Sequence, residues 1–215
     1  MGNNTRFAWI MDDSMPRSEA LWDQEILRTE RFVALPSAGA LVAGWTLIVP
    51  RRPMLNLSQT DALEREELDG IAALIANRLS KTDLEVYFFE HGSRVVGSLT
   101  GCGVDQAHLH IVPLPFDLIA AITKRAESGI VWRDAEDTAY PLDALPTEGE
   151  YVALWSRSVR RPVIGAVTKP VSQWVRRIIA DELGIGAEWN YRNHPQPNRV
   201  RETLALLTTA AAGRL

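Results

Sequence analysis

The residues best placed to do chemistry lie in Gly101-Cys102-Gly103-Val104-Asp105-Gln106-Ala107-His108-Leu109-His110-Ile111-Val112-Pro113. Two of the chain's 4 histidines stand two residues apart in an apolar, β-prone run, and a third, His91, ends the strand-like run before it. Side chains alternate between the faces of a strand, so Gln106, His108 and His110 share one face and Ala107, Leu109 and Ile111 the other. A same-face histidine pair has three uses. It chelates a metal, with His91 and Asp105 as further ligands, although Ile111–Phe116 brings no carboxylate to the strand. It packs in a core or interface. Or one imidazole attacks an electrophile while the other positions it, since neutral imidazole, with an ordinary pKa of about 6.5, is a competent nucleophile at neutral pH. The preceding loop, Gly97-Ser98-Leu99-Thr100-Gly101-Cys102-Gly103, favours the nucleophile. Its glycines, Gly101 and Gly103 above all, let backbone N–H groups curve around an anion, and Ser98 and Thr100 add hydroxyl donors. An anion cradle beside an imidazole suits phosphoryl or nucleotidyl transfer.

The elements that must carry these residues follow from hydrophobic periodicity and turn signals. Strands are predicted at Phe7–Met11, Arg31–Leu35, Trp45–Val49, Leu84–Glu90 and Ala107–Val112, the last stopped by Pro113. A helix capped by Ser58 or Thr60 runs to about Lys81, and Asp117 caps another reaching Ser128. Trp132–Glu150, rich in acids and turn residues, reads as a surface connection. Tyr151–Ser156 and Val163–Val167 form a hairpin, and helices follow at Ser172–Leu183 and Arg199–Ala212. Strands come first and helices accumulate late, which predicts an α+β protein with an antiparallel sheet.

Composition bounds the function. The 215 residues suit one sizeable domain with an appendage, and 46% hydrophobic with 23% charged content is that of a globular protein. A net charge of -4 argues against nucleic acid as a partner. The single cysteine, Cys102, rules out an internal disulfide and fits a reducing compartment. No apolar run approaches the roughly 18–20 residues of a membrane span, and the N-terminus lacks a signal-peptide core, so a cytoplasmic location is expected.

Gln106-Ala107-His108-Leu109-His110-Ile111-Val112 resembles the signature of the histidine-triad (HIT) superfamily, three histidines alternating with apolar residues. Phe32–Pro50, Phe88-Phe89-Glu90-His91-Gly92, Ser172–Arg176 and Trp189 extend the resemblance over residues 6 to 205. It implies a HIT-like nucleotide-binding domain over 1–130, with a C-terminal extension over 131–215 packed on it and not independent. It also implies a homodimer with no cofactor and no metal. His108 would attack the α-phosphate of a nucleotide derivative, such as a dinucleoside polyphosphate or nucleoside phosphoramidate, giving a nucleotidyl-histidine. His110 would hold phosphate oxygens, and Ser37 would approach the ribose. The first signature histidine is Gln106, which hydrogen-bonds but cannot carry a proton to a leaving group. Either the leaving group needs no proton or the chain binds nucleotide without catalysis; His91 is a candidate substitute acid. Glu90 is a candidate to orient His91 or His108, and Arg176 and Arg177, near Gln173, to complete the pocket.

Overall fold

A computed structural model of the chain describes residues 6–101, 103–125, 129–135, 138 and 140–208. Cys102, Ser128 and Ala212 lie outside them. Eight strands form one antiparallel sheet: β1 (Leu27–Arg28), β2 (Phe32–Pro36), β3 (Thr46–Pro50), β4 (Glu85–Gly92), β5 (Leu109–Leu114), β6 (Ile130–Asp134), β7 (Tyr151–Ser156) and β8 (Val163–Val167). Their order across the sheet is β1-β2-β3-β5-β4-β7-β8-β6, with every pairing antiparallel. Together with helices α1 (Ala8–Met11), α2 (Ala62–Leu79), α3 (Leu118–Thr123), α4 (Trp174–Glu182) and α5 (Pro197–Thr208) this is the expected α+β architecture. Residues from position 130 onward supply three strands of the same sheet, β6, β7 and β8. Among the described residues no helix is long and apolar enough to cross a membrane.

Alternation along the strands builds two different layers. Ile48, Leu109, Ile111, Val86, Phe88 and Trp155 face α2, which buries Leu68, Ile71, Ile75 and Leu79 against them. Each such side chain contributes about 1.5–3 kcal/mol when taken from water. Asp61 caps α2, in place of the expected Ser58 or Thr60: its carboxylate accepts from the Glu64 N–H at 2.9 Å while Glu64 accepts from the Asp61 N–H at 2.9 Å. On the opposite face, Tyr87, Phe89, Val112 and Leu154 meet α3 and α4 through Leu118, Ile122, Val175 and Ile179. Val33, Leu35, Leu47 and Val49 meet Phe7, Trp9 and Ile10 there.

Three element predictions need correction. Phe7–Met11 is not a strand: Ala8–Met11 makes one helical turn, which buries Phe7, Trp9 and Ile10 together where strand alternation would turn one of them outward. Pro113 does not end the histidine strand, because the ladder to β3 stops at Ile111 and Pro113 occupies that open side, close to Gly44, while pairing with β4 continues to Leu114. The supposed surface connection begins with strand β6, an edge strand paired to β8.

Glu90 joins the two halves of the sheet. Its carboxylate accepts from the Leu57 N–H and from the Tyr151 hydroxyl, both at 2.6 Å, and burial pushes it up to about 7. It therefore orients neither His91 nor His108, contrary to expectation. The Tyr151 ring lies over Gly92, where an added Cβ would come within 2.2 Å of it. Gly92→Ala is expected to cost about 1–3 kcal/mol by overpacking, and Tyr151→Phe a similar amount by leaving a buried carboxyl oxygen unpartnered. Urea melts of the two variants check both; a Gly92→Ala midpoint equal to that of the parent would contradict this packing.

Candidate functional site

The cleft opens on the sheet face that carries β5's second set of side chains. Leu47, His110, Phe89 and Leu154 form one row across β3, β5, β4 and β7. His110 stacks on Phe89 with ring centres 4.2 Å apart and planes 7° from parallel. His108 precedes β5, its ring 4.7 Å from that of His110 and 5.9 Å from that of Phe7. A cavity of about 40 Å³ is lined here by Arg6, Phe7, Ser37, Ala38, Leu47, Phe89, His91, Val104, His108, His110, Gln173, Arg176 and Tyr191. A larger hollow of about 210 Å³ beneath α2, beside Phe88 and Trp155, is lined by no imidazole among the described residues.

Two hydrogen bonds fix the protons on the paired rings. His108 Nδ1 lies 2.9 Å from the Gln106 carbonyl oxygen, which only accepts, so Nδ1 carries the hydrogen and Nε2 keeps its lone pair. Trp45 Nε1–H, which only donates, points at His110 Nδ1 at 3.1 Å, so His110 holds its hydrogen on Nε2. That Nε2 is buried and, among the described residues, has no hydrogen-bond partner. One ring is thus prepared as a nucleophile and its neighbour as a donor.

Burial keeps all three cleft imidazoles neutral. It lowers His108 to about 4, with the charge of Arg6 adding to the effect against the Gln106 carbonyl, which opposes it. His91 falls to about 3 by burial and the nearby His108, and His110 falls well below its ordinary value for the same reasons, helped by Arg176 and Arg6. Among the described residues the cleft lining contains two guanidinium groups and no carboxylate. Arg176 lies 4.7 Å over the Trp45 ring and donates from Nε to the Trp189 carbonyl at 2.6 Å. Gln173 accepts from the Tyr191 N–H at 3.4 Å.

The predicted site residues divide accordingly. His108, His110, His91 and Ser37 meet in the cleft, as does Arg176 from the C-terminal part with its neighbour Gln173, whereas Arg177 lies outside the lining, 3.5 Å over the Trp189 ring. Gln106 does not line it. Its amide donates to the Pro50 and Arg52 carbonyls at 3.0 and 2.9 Å and accepts from the Met54 N–H at 3.3 Å, so the side chain pins the segment after β3 to the start of β5. The expected role of Gln106 in orienting a phosphate is corrected to this one. The glycine loop is also corrected. Thr100 donates to Glu150 at 2.7 Å, the Thr100 N–H donates to Ser98 Oγ at 3.1 Å, and Gly101 packs on Ser93. Gly103, at φ +73, lies against Arg192. Ser98, Thr100, Gly101 and Gly103 are all absent from the lining; among the described residues Val104 alone represents this segment there. Glu150 and the Ser98 turn use both Thr100 donors that a phosphate would have needed. Arg6, Phe7 and Tyr191 were missed, because only tertiary folding brings them to the histidines. Among the described residues no cluster of three or more His, Cys, Asp or Glu is placed to hold a metal.

No protein-family model matches the chain, and no curated protein matches it. Among solved structures, a Hit-like protein involved in cell-cycle regulation from Bartonella henselae, determined with an unknown ligand, is similar to it at 19% identity and a TM-score of 0.37. That match covers 53% of this chain and 79% of the other.

The unprotonated Nε2 of His108 is expected to react with diethyl pyrocarbonate at a rate that stays level between about pH 7.5 and 5.5 and declines only toward pH 4. Peptide mass mapping of the modified chain measures this. A midpoint near the ordinary imidazole value would contradict the geometry.

Proposed function

We propose that this chain is a HIT-like nucleotide hydrolase or nucleotidyltransferase in which His108 attacks the α-phosphate of a nucleotide derivative. The observation that carries the reading is the opposed pair of tautomers. His108 offers a lone pair at Nε2, and His110, 4.7 Å away ring to ring, offers an N–H to a non-bridging phosphate oxygen. Arg6 and Arg176 on the same lining suit a substrate with several negative charges. Ser37 and Ala38 supply the wall on which a nucleoside would rest, next to Leu47.

The reaction runs in two displacements. The His108 lone pair forms a P–N bond as the bond from phosphorus to the leaving group breaks. The negative charge that builds on the phosphate oxygens is met by donors already in place, which costs little reorganisation. Water or another acceptor then attacks phosphorus from the vacated side and the P–N electron pair returns to His108. A homodimer is proposed for the assembly: β4 is flanked by β5 and β7, so sheet continuation between copies would use β1 or β6. A cytoplasmic setting is proposed with it.

A nucleotide-binding protein without catalysis was the other reading that Gln106 invited. With its amide tied to three backbone groups, Gln106 brings no proton donor to the cleft, and the rate measurements below separate the two readings.

Incubation with adenylated and guanylated dinucleoside polyphosphates, followed by intact-mass and peptide analysis, is expected to find a nucleoside monophosphate on His108. His108→Ala is expected to lower turnover more than about a thousandfold. Turnover unaffected by that substitution would refute the proposal. Gln106→His is expected to lower the melting temperature without raising activity, because one imidazole cannot serve three backbone partners; a gain in rate would return the non-catalytic reading to favour.

A further inference from the structure

Arg6 is the cation of the cleft that the sheet does not provide. It arrives from the segment just before α1 and lines the same space as His108 and His110. Its guanidinium carbon lies 4.9 Å from the Phe7 ring centre and 5.8 Å from that of Tyr191, so two aromatic rings hold it in place. Its Nε and Nη2 are both buried and, among the described residues, neither has a hydrogen-bond partner. A buried guanidinium nitrogen without an acceptor is costly, and two on one side chain mark a place for an anion. Asp23 is the nearby carboxylate whose charge Arg6 senses, yet the two form no ion pair among the described residues, and one Asp23 oxygen, Oδ1, is itself unpartnered.

What is missing from the lining matters as much. A leaving amine must gain a proton before it departs, whereas a leaving phosphate can depart as an anion. The lining contains no carboxyl group among the described residues, Gln106 is turned to the backbone, and burial keeps His91 and His110 from carrying a second proton near neutral pH. Arg6 cannot give up a proton but can neutralise negative charge.

We infer that Arg6 binds the departing phosphate, fitting the cleft to phosphoanhydrides, whose leaving group is already an anion, rather than to phosphoramidates, whose leaving amine needs an acid. The inference rests on His108 acting as nucleophile. In the first displacement the α-phosphorus gains the His108 lone pair, and the electron pair of the broken P–O bond stays on the bridging oxygen, which leaves on the departing phosphate against Arg6. In the second, water adds to phosphorus, its proton passes to solvent, and the P–N pair returns to Nε2. No oxidant or further reactant is needed.

The test uses the full chain in four forms: parent, His108→Ala, Arg6→Ala and Arg6→Lys. Calorimetry on Arg6→Ala against the parent is expected to show ADP binding weakened by about ten- to a hundredfold with adenosine binding unchanged, and Arg6→Lys recovering part of the loss. Equal weakening of adenosine and ADP would reduce Arg6 to a packing role and overturn the inference, as would unchanged ADP binding. In turnover, the parent is expected to prefer a dinucleoside polyphosphate to an adenosine phosphoramidate, and Arg6→Ala to lose rate on the former. His108-dependent turnover that favours the phosphoramidate would overturn the inference and leave the nucleophile standing. Turnover independent of His108 would overturn the nucleophile, while the calorimetry still decides whether Arg6 holds an anion.

Discussion

Two hydrogen bonds to two neighbouring imidazoles govern what this cleft can do. A histidine pair with unspecified protons is only a polar patch. Here a backbone carbonyl that can only accept meets one ring at Nδ1, and an indole N–H that can only donate meets the other at Nδ1. The same ring atom therefore carries hydrogen in His108 and lacks it in His110, and the two Nε2 atoms present opposite chemistry to one space. Burial holds both rings neutral, so the assignment persists over the physiological pH range.

The rest of the fold maintains those two contacts. Gln106 presents its carbonyl to His108 because its own amide is anchored to Pro50, Arg52 and Met54. Trp45 presents its indole because it is fully buried next to β3, in edge contact with Phe89 and under Arg176. Arg176 comes from α4, so the C-terminal part of the chain bears on the tautomer of a residue in β5. Glu90 and Tyr151 tie β4 to β7 on the reverse face and so fix the strand that carries Phe89 and His91.

Much of this was legible in the sequence. Alternation is a local property, so the polar face of His110 and the apolar face of Leu109 and Ile111 followed from strand geometry, and His108 joins His110 in the cleft from just before the strand. The hairpin Tyr151–Ser156 with Val163–Val167 was legible for the same reason. What escaped depends on contacts distant along the chain. Nothing local tells that Gln106 will turn to the backbone, or that Ser98 and Thr100 will be engaged by Glu150 and by their own turn. Arg6 stands over a hundred positions from His108, and its residue type alone reads as an exposed terminal cation. Strand-prone Phe7–Met11 became a helical turn because three large side chains had to be buried on one sheet face.

Long-range ¹H–¹⁵N correlation spectra of the histidine side chains test the account most directly. The predicted result between about pH 6 and 8 is a neutral Nδ1–H tautomer for His108 and a neutral Nε2–H tautomer for His110, with neither titrating in that range. Identical tautomers for the two rings, or an imidazolium appearing on His108 near pH 6.5, would contradict it.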